Sequence, residues 1–199
     1  MSFAYPLMRG VAPLVTALVL LVLWGEPLSA IGWLGLALLC AGVSALAKRG
    51  TVSTKAWLLA LANALVIVTY TVVDGLGLRA SGSAAAYVAW LFALIAAPMA
   101  VLGVAIHVSW RVPRAVLGRS AFCGACSVVA YGLALWAMTL APIALVAALR
   151  ETSVLFGVMI AAMLLKERLG PRRWLAAVLI CAGAVSLKRS EEHTSELQS

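Results

Sequence analysis

The sequence predicts an all-α integral membrane protein, a bundle of about seven transmembrane helices, on three observations. Of the 199 residues, 64% are hydrophobic and only 11% are charged, against about 45–50% and about 25% in soluble domains. The apolar residues gather into seven long runs. Most of the charge sits in the short segments between them. Lipid offers no water to unpaired backbone groups, so runs of this length must be helices.

About twenty apolar residues cross the hydrocarbon layer as a helix. The runs cover 3–24, 28–47, 56–78, 84–107, 121–140, 142–165 and 174–188. The first carries Arg9, Pro6 and Pro13, and "GEPLS" follows it. The second has Ala37, Ala41 and Ala45 at four-residue spacing, a pattern that permits close helix contact. The third ends soon after Asp74, with Gly75 and Gly77 behind it, so Asp74 is expected near a span end. The fourth holds Trp90 and Pro98 and stops at His107, while the fifth holds the pair Cys123 and Cys126. The sixth starts at Pro142 and contains "ALRETSVLFG", four polar residues in an otherwise apolar run. Trp57, Trp110 and Trp174 lie near span ends, where interfacial aromatics gather.

The last eleven residues, "RSEEHTSELQS", break this pattern. They read as the translation of a sequencing-library adapter, so 189–199 is expected to be a non-native disordered tail. The tail holds one Arg and three Glu, a net −2, so the chain's +8 becomes +10 over the first 188 residues. No basic face interleaved with aromatics is visible, which argues against nucleic acid as a partner. The four cysteines fall in apolar runs and read as small hydrophobes. No secretory signal peptide is evident. No His, Cys or carboxylate set has metal-site spacing, and no cofactor is implied. No catalytic constellation or phosphate-binding glycine loop is found either, so the chain does not read as an enzyme.

Shifting the chain by 141 residues lays 9–46 over 150–187 without a gap, with twelve identities in 38 positions. Arg9 meets Arg150, Glu26 meets Glu167, Trp33 meets Trp174, and "CAG" at 40–42 meets "CAG" at 181–183. The first and sixth spans are thus equivalent. Five crossings separate them, and an odd number reverses direction, so the repeats have inverted topology. The expected organisation is two helices of a first repeat in 1–47, a loop in 48–55 and a complete five-helix repeat in 56–188. The implied parent is a ten-helix inverted-repeat transporter, with about three helices expected before Met1.

"YPLMRGVAPL", the "GE" after the first span, and "APIALVAALRETSVLFGVMIAAMLLKE" resemble the EamA-type family of the drug/metabolite transporter superfamily. The resemblance covers nearly all of 3–188. It implies a ten-helix carrier of two inverted five-helix repeats, with a central cavity and alternating access. Members move amino acids, sugars, nucleotide-linked compounds or other metabolites, often outward. This chain departs from the family by lacking the first three helices. The alternatives are an inactive truncated fragment of such a carrier and an integral-membrane enzyme.

Charged residues in mid-membrane are costly and usually face a cavity or a partner. The candidate substrate-binding residues are therefore Arg150, Glu151, Arg9, Thr152, Ser153, Asp74 and Tyr70. Arg150 could attract an anionic group, with Arg9 at the matching depth of the inverted repeat. Glu151 could support Arg150, bind an amine or take up a proton. Thr152 and Ser153 either line the cavity or bond back to the helix carbonyls. Tyr70, one turn before Asp74, shares its face. Tyr131, Trp90 and Trp136 could stack on a substrate or simply pack. Glu26 is expected to pair with Lys166, Arg168 or a loop.

The expected partners are a small-molecule metabolite and the lipid bilayer, with coupling open between proton antiport and facilitated diffusion. The expected location is a bacterial inner membrane, crossed several times. Loops after spans two, four and six hold ten Lys and Arg against two on the other side, Arg79 and Lys188. That places the basic set in the cytoplasm.

Overall fold

A computed structural model of the chain describes residues 4–46, 53–107, 113–165 and 170–196. Among these residues the secondary structure is eight α-helices: α1 (Ala4–Trp24), α2 (Ala30–Ala45), α3 (Thr54–Ser81), α4 (Ala84–Ala105), α5 (Arg114–Ala137), α6 (Ile143–Arg150), α7 (Ser153–Leu165) and α8 (Pro171–Glu196). Local chemistry sets several ends. Gly25 and Gly82 take the left-handed backbone that closes α1 and α3, with φ of 64° and 67°. Ser29 and Ser83 cap α2 and α4 by accepting from the N–H of Gly32 and Ala86. Pro113 and Pro142 introduce α5 and α6, where a missing N–H costs nothing. Among the described residues, three helices, α3, α4 and α5, are long and apolar enough to cross a membrane.

Four expectations change. The sixth run, 142–165, is not one helix but two, α6 and α7, with Glu151 and Thr152 in a turn between them. The fifth run starts at Arg114 rather than 121. The third continues to Ser81, so Asp74 lies within α3 and not at a loosened end. The expected disordered tail is helical through Glu196, because α8 runs on without a break. Lys48, Arg49, Trp110, Arg111, Lys166, Glu167 and Arg168 lie outside the described residues.

The chain divides into two compact units, Met1–Val73 with Ala141–Ser199, and Asp74–Leu140. In the first unit α2 packs along α8, and α1 packs on α2 and α6. Glycines let α2 and α8 meet backbone to backbone. A Cβ at Gly183 would stand 2.7 Å from the carbonyl of Gly35 and the amide of Leu39. One at Gly42 would stand 2.8 Å from Ile180 Cγ1 and 3.0 Å from the carbonyl of Ala176. From Gly35 to Gly42 the partner recedes from Gly183 to Ala176, so the pair is antiparallel. Ser29 meets Ser190 at one end, hydroxyl to hydroxyl at 2.6 Å, and Arg172 donates to the carbonyl of Ala45 at the other. The two glycine contacts exchange under the 141-residue shift: Gly35 and Gly183 become Ala176 and Gly42, and Leu39 becomes Ile180. The alanine stripe expected to carry close packing faces outward instead, with Ala37 and Ala41 exposed. Gly35 and Gly42 take that role.

The second unit packs α4 against α5. No residue of α4 is buried, and on α5 only Leu135 is. Cys123 and Cys126 are exposed there, and of the four cysteines only Cys40 is buried. Helices apolar on all faces with so few buried residues suit a surface turned to lipid.

Candidate functional site

On α1, Arg9, Ala12, Pro13 and Thr16 stand at i, i+3, i+4 and i+7, one stripe of a helix. Ile67, Tyr70 and Thr71 form a similar stripe on α3. Ala147 and Arg150 of α6 and Glu151 beyond it supply a third wall. These ten residues, all in the first unit, line a partly open cavity of about 20 Å³, room for about one water molecule.

Glu151 is the chemical centre of the cavity. It is only 7% exposed. Arg9 Nη1 donates to its two carboxylate oxygens at 3.4 and 3.5 Å. The contact is beyond the usual length of a charge-assisted hydrogen bond, so attraction between charges carries most of it. The Arg9 side chain is 33% exposed and that of Glu151 10%. The expected partnership of Glu151 with Arg150 thus takes another form: the hydrogen-bonded arginine comes from α1, and Arg150 lines the same cavity.

The chain breaks here for a local reason. Glu151 N–H bonds to the carbonyl of Ala148, Thr152 to Leu149, Val154 to Glu151 and Leu155 to Thr152, at 2.9–3.1 Å. Each spans three residues rather than four, a tight 3₁₀ passage between two α-helices. The Thr152 hydroxyl also donates to the carbonyl of Leu149 at 2.7 Å, competing with the helical ladder.

Of the seven residues singled out in the sequence, the cavity gathers Arg9, Tyr70, Arg150 and Glu151. It does not gather Thr152, whose hydroxyl is bonded back, or Ser153, which is exposed at the start of α7. Asp74 belongs to the second unit. There it is 7% exposed and accepts from two phenols, Tyr87 at 3.1 Å and Tyr131 at 2.5 Å. Tyr131 meets Phe92 edge-on, with ring centroids 6.1 Å apart. Trp90 and Trp136 are exposed. Glu26 accepts from the backbone N–H of Ile143 at 3.1 Å, so it caps the positive end of α6. The sequence does not point to that contact. Among the described residues, no group of three or more His, Cys, Asp or Glu is placed to hold a metal ion.

Thr16, Thr71 and Tyr87 are not singled out by the sequence. Thr16 has a signal there, since it stands seven residues after Arg9 on one helical stripe. Thr71 shares the stripe of Ile67 and Tyr70. Tyr87 has none, because its link to Asp74 joins two helices.

No curated protein and no solved structure matches the chain. A family model described as the EamA-like transporter family matches residues 54–188. That family consists of membrane transporters rather than enzymes, and its fold agrees with the all-α, apolar architecture described above. The matched segment covers more than half of the 199 residues and includes the polar turn at Arg150–Ser153. This chain is an integral membrane protein that belongs to the EamA-like transporter family.

Proposed function

We propose that the protein is a secondary transporter that exports small metabolites by alternating access, with amino acids and related compounds as its first candidates. One observation carries the reading. A span-length apolar segment is interrupted midway, and the interruption places Glu151 beside Arg9 and Arg150 at a small cavity. Discontinuous helices beside charged groups are how many carriers build a site near the bilayer midplane. Both signs of charge at one place suit a zwitterion.

The 141-residue correspondence supports two inverted repeats. In this reading 1–47 holds the last two helices of the first repeat and 56–188 holds the second, with the tail at 189–199 outside both. The parent would cross a bacterial inner membrane ten times, with the basic loops in the cytoplasm. Proton uptake by Glu151 would couple export to a proton gradient.

Reconstitution in lipid vesicles tests the assignment, with alanine uptake as the readout. Arg150→Gln should insert normally and lose most of the uptake. Arg150→Lys should lose less, because it keeps the charge but not the planar fork. Glu151→Gln should change the pH dependence of uptake. If all three insert and transport like wild type, the polar turn is structural and the site lies elsewhere.

A further inference from the structure

We propose that Glu151 is the resident counter-ion of Arg9 and that the ligand's carboxylate binds by displacing it. This rests on the transporter reading above and specifies how its site takes an anion. Glu151 already covers the cavity side of Arg9, and beside the pair the cavity leaves about 20 Å³, space for about one water. The space that a ligand anion needs in front of Arg9 is filled by Glu151 itself, at 3.4 and 3.5 Å from Nη1.

Among the described residues, the charged groups that line the cavity are Arg9, Arg150 and Glu151. The internal repeat shows how Glu151 differs from its counterpart. The 141-residue shift relates Arg9 to Arg150 and Glu151 to Gly10. A Cβ on Gly10 would collide with the Ser44 hydroxyl and stand 3.1 Å from the carbonyl of Cys40. Close packing of α1 on α2 leaves no room for a glutamate at position 10.

Exchange is also mechanically available. The Arg9–Glu151 contact is long and Arg9 is one-third exposed, so it is held less tightly than a short bidentate pair. Glu151 sits in the turn between α6 and α7 with its backbone N–H and carbonyl both bonded, so leaving Arg9 asks only for a change of side-chain rotamer. One carboxylate leaves Arg9 and another takes its place, so the charge at the guanidinium is conserved. The displaced Glu151 then faces the ligand, where an ammonium group would meet it. Its return to Arg9 expels the ligand.

The test is propionate binding to the full chain purified in micelles, followed by tryptophan fluorescence at fixed, low chloride. Propionate carries the carboxylate without the amine. Glu151→Gln should bind it about tenfold more tightly than wild type, since the competitor is gone. Glu151→Asp should fall between, because its charge remains but its reach is shorter by one methylene. It also carries the test if the glutamine variant does not fold. Arg9→Gln should lose binding. Equal or weaker binding by Glu151→Gln and Glu151→Asp overturns the proposal, as does an absence of binding in wild type and variants alike. Alanine uptake in vesicles separates this from the transporter reading. Uptake without tighter propionate binding sinks the exchange alone, and tighter binding without uptake sinks transport by this chain.

Discussion

Among the described residues, Glu151 and Asp74 are the buried carboxylates, each 7% exposed, and the protein satisfies them in opposite ways. Glu151 faces a guanidinium at 3.4–3.5 Å, a long contact that another anion can take over. Asp74 is clamped by two phenolic hydroxyls at 2.5 and 3.1 Å, one from α4 and one from α5. A phenol offers a short directional bond but no countercharge, and it does not leave with a ligand. The clamp therefore reads as a tie between helices, and the ion pair as a place where something can be exchanged. Burial and chemical type are the same at both positions. The partner decides the role.

That contrast can be broken most forcefully at Arg9. Arg9→Gln leaves Glu151 buried without its hydrogen-bonded cation and should cost about 3 kcal/mol, read as a fall in melting temperature in micelles. The double variant Arg9→Gln with Glu151→Gln should recover most of this loss, because removing both members of a partly buried pair is cheaper than leaving a buried carboxylate without its cation. No recovery would mean that the pair is not energetically coupled. Tyr131→Phe should come next, at about 2 kcal/mol, since it removes a short bond to a charged acceptor. Tyr87→Phe should cost less, about 1 kcal/mol, because its bond is longer. Neither tyrosine variant should alter propionate binding. If either does so as strongly as Glu151→Gln, the division between an exchange site and a structural clamp fails.

Much of the candidate site is legible in the amino-acid sequence. Intramembrane charge is expensive, so Arg9, Arg150, Glu151 and Asp74 stand out against their apolar runs, and each has a defined setting. Thr152 is less legible, because a hydroxyl can serve a cavity or its own helix. Here it bonds to the carbonyl of Leu149. The break in the sixth run is hidden for a related reason. Hydropathy counts apolar residues and does not register a change from four-residue to three-residue hydrogen bonding. The alanine stripe misleads because small residues allow close packing without saying which face will use it. Gly35, Gly42 and Gly183 are chosen by the partner helix.

By itself the sequence determined the membrane-helix class, the rough positions of most helices, the 141-residue correspondence and the polar positions that needed an explanation. These follow from transfer free energy and from backbone groups that must pair within their own segment, both local to each run. Only the tertiary structure decided that Glu151 meets Arg9, that Asp74 meets two tyrosines and that Glu26 caps α6. Those contacts join residues up to 142 positions apart. They depend on which helix faces come together, and that is set by packing many side chains at once rather than by any one stretch of chain.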